Sequence, residues 1–144
     1  MPDLEITRQL PAPPARVFEA LTQPAELLKW WGPEGFTVSE GPLDLRTTGP
    51  WSSVMVSPDG QPYKVSGHVT HVTADTSVGF TWAWHDEADQ RGPESHVVIA
   101  LAPTPDGGTT LTLSHRDLPN EEAAARHMGG WQSTLNKLEA LVAG

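Results

Sequence analysis

The 144-residue sequence contains no cysteine. That excludes disulfide bridges, thiolate metal sites and cysteine nucleophiles. Basic residues are scarce: nine Lys and Arg stand against 18 Asp and Glu, and they form no cluster. A chain of net charge −9 repels phosphate backbones, so sequence-independent nucleic-acid binding is not expected. The charge reads as solubility, or alternatively as a docking surface for a basic partner. No apolar run approaches the roughly 18–20 residues that a membrane span needs. Met1-Pro2-Asp3 lacks the basic and apolar regions of a signal peptide, which points to the cytoplasm. Gly-x-Ser-x-Gly, a phosphate-cradling glycine loop and His-Glu-x-x-His are all missing. The residues therefore call for no cofactor and show no standard nucleophile.

What remains is pattern. Leu4, Ile6, Arg8 and Leu10 alternate with polar residues, the period of a half-buried strand. Pro14 suits the first turn of a helix carrying Val17, Phe18 and Leu21, and Pro24 starts a second short helix that Gly32-Pro33 stops. Strands are expected over 36–43, 51–56, 63–73, 78–84, 95–102 and 109–116. Turns are expected at Ser57-Pro58-Asp59-Gly60 and Pro105-Asp106-Gly107-Gly108. Residues 86–94 read as a polar, mobile loop. Asn120 caps a last helix whose Ala124, Met128, Trp131, Leu135, Leu138 and Val142 form one apolar face. Such a helix measures about 33 Å, enough to cross a small domain. The order predicts one α+β domain over 1–144: a curved antiparallel sheet of about seven strands, two short helices, and a long C-terminal helix over the concave face.

Several stretches carry a resemblance. Pro11-Ala12-Pro13, Val17 to Thr22, Pro24 and Trp30-Trp31-Gly32-Pro33 resemble the opening of activator-of-heat-shock-protein-90-ATPase homologue domains, of the START-like, pollen-allergen-like (SRPBCC) superfamily. Pro58-Asp59-Gly60, Gly67, Gly107-Gly108-Thr109 into Leu111 and Leu113, His115 and Gly130-Trp131 continue it. Thr47-Thr48-Gly49-Pro50-Trp51 departs from the usual pattern, and Pro50 removes a backbone donor there, so a strand edge or bulge is expected. The resemblance implies a helix-grip fold with a cavity between sheet and helix. It implies no universal reaction: members bind lipids, hormones and polyketides, some catalyse cyclisation, and the namesake co-chaperones bind heat-shock protein 90.

Strand parity sorts the histidines. His68 and His71 are three apart and face opposite sides. His85 and His96 are expected outside, whereas His115 shares parity with Leu111 and Leu113, and His71 with Val65 and Val69, so both point in. A meander separates His71 from His115 by about 14 Å, too far for a shared zinc. No metal site is therefore expected. His115 is either a core histidine satisfied by a carbonyl or water, or an anchor for a ligand. His127 lies at the edge of the helix stripe, at a cavity mouth or on a solvated flank. Of Trp30 and Trp31, one is expected in the core and one at the rim. Trp82 and Trp131 are the leading candidates for the cavity wall. Gly129-Gly130 interrupts the long helix, either as an opening that admits ligand or as an inherited bend.

The candidate ligand-binding set is Trp31, Tyr63, His71, Trp82, Ile99, Leu113, His115, His127, Met128, Trp131 and Leu135. The leading expectation is a small-molecule-binding protein with an apolar cavity, monomeric or homodimeric. The alternatives are a co-chaperone-type module with a chaperone partner, and a cyclase-like pocket enzyme using His115 or Tyr63.

Overall fold

The computed structural model describes residues 3–38 and 43–143. The elements run β1 (Leu4–Leu10), α1 (Pro14–Thr22), α2 (Pro24–Trp30), β2 (Thr37–Val38), β3 (Gly49–Val56), β4 (Pro62–Thr73), β5 (Ser77–Trp84), β6 (Ser95–Pro103), β7 (Thr109–Arg116) and α3 (Glu121–Ala143). The seven strands form one antiparallel sheet in the order β1-β7-β6-β5-β4-β3-β2. This is the expected meander with the first strand returned to its far edge. The strand expected over 36–43 is only the two residues of β2, and 39–42 lie outside the described residues.

Alternation decides which side chains enter the core. On β6, Ser95, Val97, Ile99 and Leu101 are buried and the residues between them are exposed. On β7, Leu111, Leu113 and His115 are buried. Leu4, Ile6 and Leu10 do the same on β1, while Arg8, on the same side, sends its guanidinium to Asn136 Oδ1 (2.7 Å) and the Gln132 carbonyl (3.3 Å) on α3. Ala124, Trp131, Leu135, Leu138 and Val142 of α3 join the same core as the inward strand residues, with Met128 half-buried beside them. Asn120 Oδ1 accepts from the Ala123 N–H (2.8 Å) and caps α3 as expected.

Both prolines of the N-terminal helices sit in first turns, where their missing N–H costs nothing. Trp31 is the C-cap of α2 with an extended backbone (φ −64°, ψ 137°). The chain therefore leaves the helix between the two indoles, and Trp30 and Trp31 are both buried, correcting the expectation of one at the rim. Lys137 of α3 donates to the carbonyls of Trp31 (3.4 Å) and Gly32 (3.2 Å), and burial lowers its pKa. The Glu34 N–H donates to Ser133 Oγ (2.8 Å). These bonds fix the 31–36 connection against α3.

Two strand glycines, Gly67 and Gly79, leave room for close neighbours. A Cβ on Gly67 would lie 2.0 Å from the Thr81 carbonyl oxygen, the same oxygen that accepts from the Trp51 indole (3.2 Å). Gly79 makes room for His71. The β4–β5 register shifts between Val69 and His71, placing His71 opposite Gly79 rather than in the Val65/Val69 row. Its ring lies 2.5 Å from where a Gly79 Cβ would be, and its Nε2 meets Ser77 Oγ at 3.0 Å. Ser77 and Gly79 alternate with inward Val78 and Phe80, so His71 is on the outer face, and the parity argument fails at this bulge.

The 86–94 connection carries several hydrogen bonds. Asp86 Oδ1 accepts from the N–H groups of Ala88 and Gln90, and Arg91 donates to the Ser66 side chain and carbonyl. No helix among the described residues is long and apolar enough to cross a membrane.

Candidate functional site

A pocket of about 430 Å³ opens between α3, the α2–β2 connection and the β5 end of the sheet. Trp31, Phe36, Met55, Trp82, Leu118 and Trp131 form much of its apolar wall. Tyr63 and Trp84 are partly exposed and stand at its rim. Trp84 alternates along β5 in step with the inward Phe80 and Trp82. It keeps their side of the sheet, but it lies at the end of β5, where the cover by α3 runs out.

Trp31 is the hub of the wall. Its ring lies 5.6 Å from Trp51, 5.8 Å from Trp82 and 6.2 Å from Trp131, centroid to centroid. The 51 position, within the segment that departs from the family pattern, thus supplies part of this cluster. Edge-on and tilted contacts of this kind hold aromatic walls in one shape.

Of the sequence candidates, Trp31, Tyr63, Trp82, His127 and Trp131 come together around the pocket. Ile99, Leu113 and Leu135 are fully buried core residues away from its lining, Met128 is packed beside the core, and His71 is on the opposite face of the sheet. Sequence reasoning missed Phe36, Met55, Ser95, Leu118, Arg126 and Gly130 among others. Ser95 had a signal, because it shares the inward parity of Val97 and Ile99. Gly130, of the α3 glycine pair, lines the pocket opposite Pro33. The Gly129-Gly130 pair does not interrupt α3, which is one continuous helix.

His115 lies behind the wall and does not line it. Trp131 Nε1 donates to its Nδ1 (3.0 Å), and its Nε2 is 2.7 Å from Ser95 Oγ. An indole nitrogen is only a donor, so Nδ1 must be the bare nitrogen and Nε2 must carry the proton. The order of donation is therefore Trp131 to His115 to Ser95, with the Ser95 hydroxyl donating to the Trp82 carbonyl at 3.3 Å. Burial first, then the neighbouring His127 and His96, push the His115 pKa down to about 3. Its partners are the side chains of Trp131 and Ser95, where the sequence left a carbonyl or water, or a ligand, as the alternatives. His127 is half-buried, not on a solvated flank. It accepts from Trp84 Nε1 (3.2 Å) and lies edge-on to His115 at 4.6 Å, and burial followed by the charge of Arg126 lowers its pKa to about 4.

This polarity is the reverse of a serine–histidine dyad. A histidine that activates serine accepts the hydroxyl proton, while a carboxylate accepts from its other nitrogen. Here Nε2 already holds a proton and the third group is a donor. The arrangement buttresses the wall and leaves Ser95 without a base.

A family model described as Activator of Hsp90 ATPase homolog 1-like protein matches residues 11–143. Among solved structures, the chain is similar to the AHSA1 protein from Silicibacter pomeroyi at 48% identity and a TM-score of 0.94, covering 99% of this chain and 98% of that one. It is also similar to protein CV1439 from Chromobacterium violaceum (27% identity, TM-score 0.88, 99% and 97% covered). Protein Ms6760 from Mycobacterium smegmatis follows the same fold (28% identity, TM-score 0.81, 97% and 90% covered). No curated protein matches the sequence.

Proposed function

We propose, from the premise that the chain belongs to the Activator of Hsp90 ATPase homolog 1-like family of the START-like helix-grip superfamily, that it is a binding protein for a small apolar molecule, with no defined reaction. The observation that supports this reading is the pocket of about 430 Å³ walled by Trp31, Trp82 and Trp131. Pockets of roughly 300–1,000 Å³ with mostly apolar walls and few polar groups suit drug-sized ligands. The cyclase-like reading loses support from the direction of hydrogen bonding at His115, which leaves no free base beside Ser95. The co-chaperone reading has the family description and the net charge of −9 behind it.

Native mass spectrometry of protein purified from its own host is the direct test. An added mass in one-to-one ratio, lost on denaturation and recovered as an apolar compound in the organic extract, is the expected result. Protein of apo mass that also shows no thermal shift with a library of apolar compounds would overturn the reading.

A further inference from the structure

Two serine–histidine pairs are held at 2.7 Å in this fold, and they run in opposite directions. In the core, Ser95 accepts from His115 and has no base. On β4, Ser66 alternates with the inward Val65 and Gly67 and so faces outward, half-buried. Its Oγ lies 2.7 Å from Nε2 of His85, the residue that follows β5. Nδ1 of the same ring is 2.8 Å from Asp89 Oδ1. A carboxylate only accepts, so the neutral ring carries its proton on Nδ1 and leaves Nε2 bare. The Ser66 hydroxyl therefore donates to His85, and His85 donates to Asp89. That is the order in which a histidine activates a serine while an acid orients the imidazole.

The 86–91 turn builds this constellation. His85 pairs with Arg91 across the turn, and the Asp86 N–H donates to the Gln90 carbonyl (3.0 Å). Asp89 takes a left-handed backbone (φ 62°), and its side chain returns to the imidazole four residues earlier. Lys64 (3.0 Å) and His85 hold its carboxyl below the usual range, so it is ionised at neutral pH. Arg91 Nε donates to Ser66 Oγ (3.0 Å) and its Nη2 to the Ser66 carbonyl (3.2 Å). Arg91 takes one lone pair of the hydroxyl oxygen and leaves the second for a carbonyl carbon. It also puts a permanent positive charge within reach of the oxyanion that forms when that carbon is attacked. Asp89 and Arg91 are exposed, so the site opens to solvent rather than into the core.

We propose that Ser66 is the nucleophile of a second site, on the outer face of the sheet, which hydrolyses small carboxylic esters with His85 as its base and Asp89 as the group that orients the ring. Ser66 Oγ bonds to the ester carbonyl carbon as its proton passes to His85 Nε2. The bond from that carbon to the alcohol oxygen then breaks, and the alcohol leaves with the proton from Nε2. Water, giving a proton to Nε2, attacks the acyl carbon. The acid departs and the proton returns to Ser66 Oγ. The site faces away from the pocket, so it stands independently of the pocket-binding reading.

The test is the reaction of the wild-type protein with 4-nitrophenyl acetate at mildly alkaline pH. The expected result is a burst of one nitrophenolate per chain, with the acetyl group mapped to Ser66 by peptide mass spectrometry. Ser66→Ala should lose that acetyl group, and His85→Gln should slow its formation at least about ten-fold, both in protein shown by thermal melt to be folded. Asp89 acts through the ring, so it needs its own readout. Long-range ¹⁵N correlation spectra should show the neutral His85 ring protonated at Nδ1, and Asp89→Gly, which suits the positive φ, should let part of that population move to Nε2. Acetyl found only on lysines, histidines or the amino terminus, or not at all, would overturn the proposal without any variant. So would His85→Gln acylating Ser66 as fast as the wild type.

Discussion

The indole N–H of Trp131 on α3 donates to Nδ1 of His115 on β7 across 3.0 Å, and that bond fixes which way every proton in the neighbouring chain points. It ties the long helix to the sheet through the core and commits the other imidazole nitrogen to Ser95. Long-range ¹⁵N correlation spectra should show His115 protonated at Nε2 alone at neutral pH, and fluorophosphonates should leave Ser95 unlabelled. An Nδ1-protonated ring would contradict the account. Ser95→Ala should cost about 1–3 kcal/mol in denaturant unfolding, because it strips the buried His115 N–H of its acceptor.

Acid should destabilise the fold earlier than carboxylate titration alone predicts. The pKa values of His115 and His127 are about 3 and about 4 in the folded protein, against 6.5 when unfolded. Below pH 6.5 the unfolded chain therefore binds more protons than the folded one, and stability falls as pH falls. It is fully present above that value. Each such histidine contributes a slope approaching ~1.4 kcal/mol per pH unit. Unfolding free energies measured between pH 7.5 and pH 5 should be flat at the upper end and decline below about 6.5. A flat profile across the whole range would mean that these imidazoles titrate normally.

Gly129 offers a test of whether α3 opens at its glycine pair. A Cβ there meets nothing within 4 Å, and the residue is inside a continuous helix. Gly129→Ala should therefore raise stability by about 1 kcal/mol through helix propensity alone. If the helix acts as a plain wall, ligand on-rates measured by stopped flow should not change. A slowed on-rate in a stabilised variant would support opening at this point.

Two strand glycines that look equivalent in sequence should behave differently. Gly67→Ala drives a Cβ into the Thr81 backbone at 2.0 Å, where no rotamer change gives relief, and should destabilise by more than 2 kcal/mol or prevent folding. Gly79→Ala meets the His71 ring, an outer-face side chain that can swing away, and should cost under about 1 kcal/mol. Thermal melts of the two variants check the ranking.

The fold was readable because its elements announce themselves by period and punctuation. Alternation on β6 and β7, Pro14 and Pro24 in their first turns, and the Ala124-to-Val142 stripe each survive into the structure. The site was readable only in part. His71 was lost to a bulge, since one extra residue reverses every side chain beyond it and leaves no mark that alternation detects. Trp30 and Trp31 were treated as sharing a helix, but the extended backbone at Trp31 lets both turn inward. Ile99, Leu113 and Leu135 have the right parity, yet parity separates inside from outside and says nothing about which part of the inside is empty. Met55, Leu118 and Gly130 reach the pocket through tertiary placement of β3, the β7–α3 connection and α3.

The central claim is that this pocket takes a small apolar molecule, and its most direct measurement is an equilibrium titration with N-phenylnaphthylamine of the wild-type protein and of Gly130→Leu. Gly130 lines the pocket, and a Cβ there meets only Pro33 Cγ at 4.0 Å, so a leucine should fill the space while favouring the helix. The account predicts saturable one-to-one binding to the wild type, and at least about ten-fold weaker binding to a variant of equal or higher thermal stability. Absent binding to the wild type, or equal binding to both proteins, would contradict it.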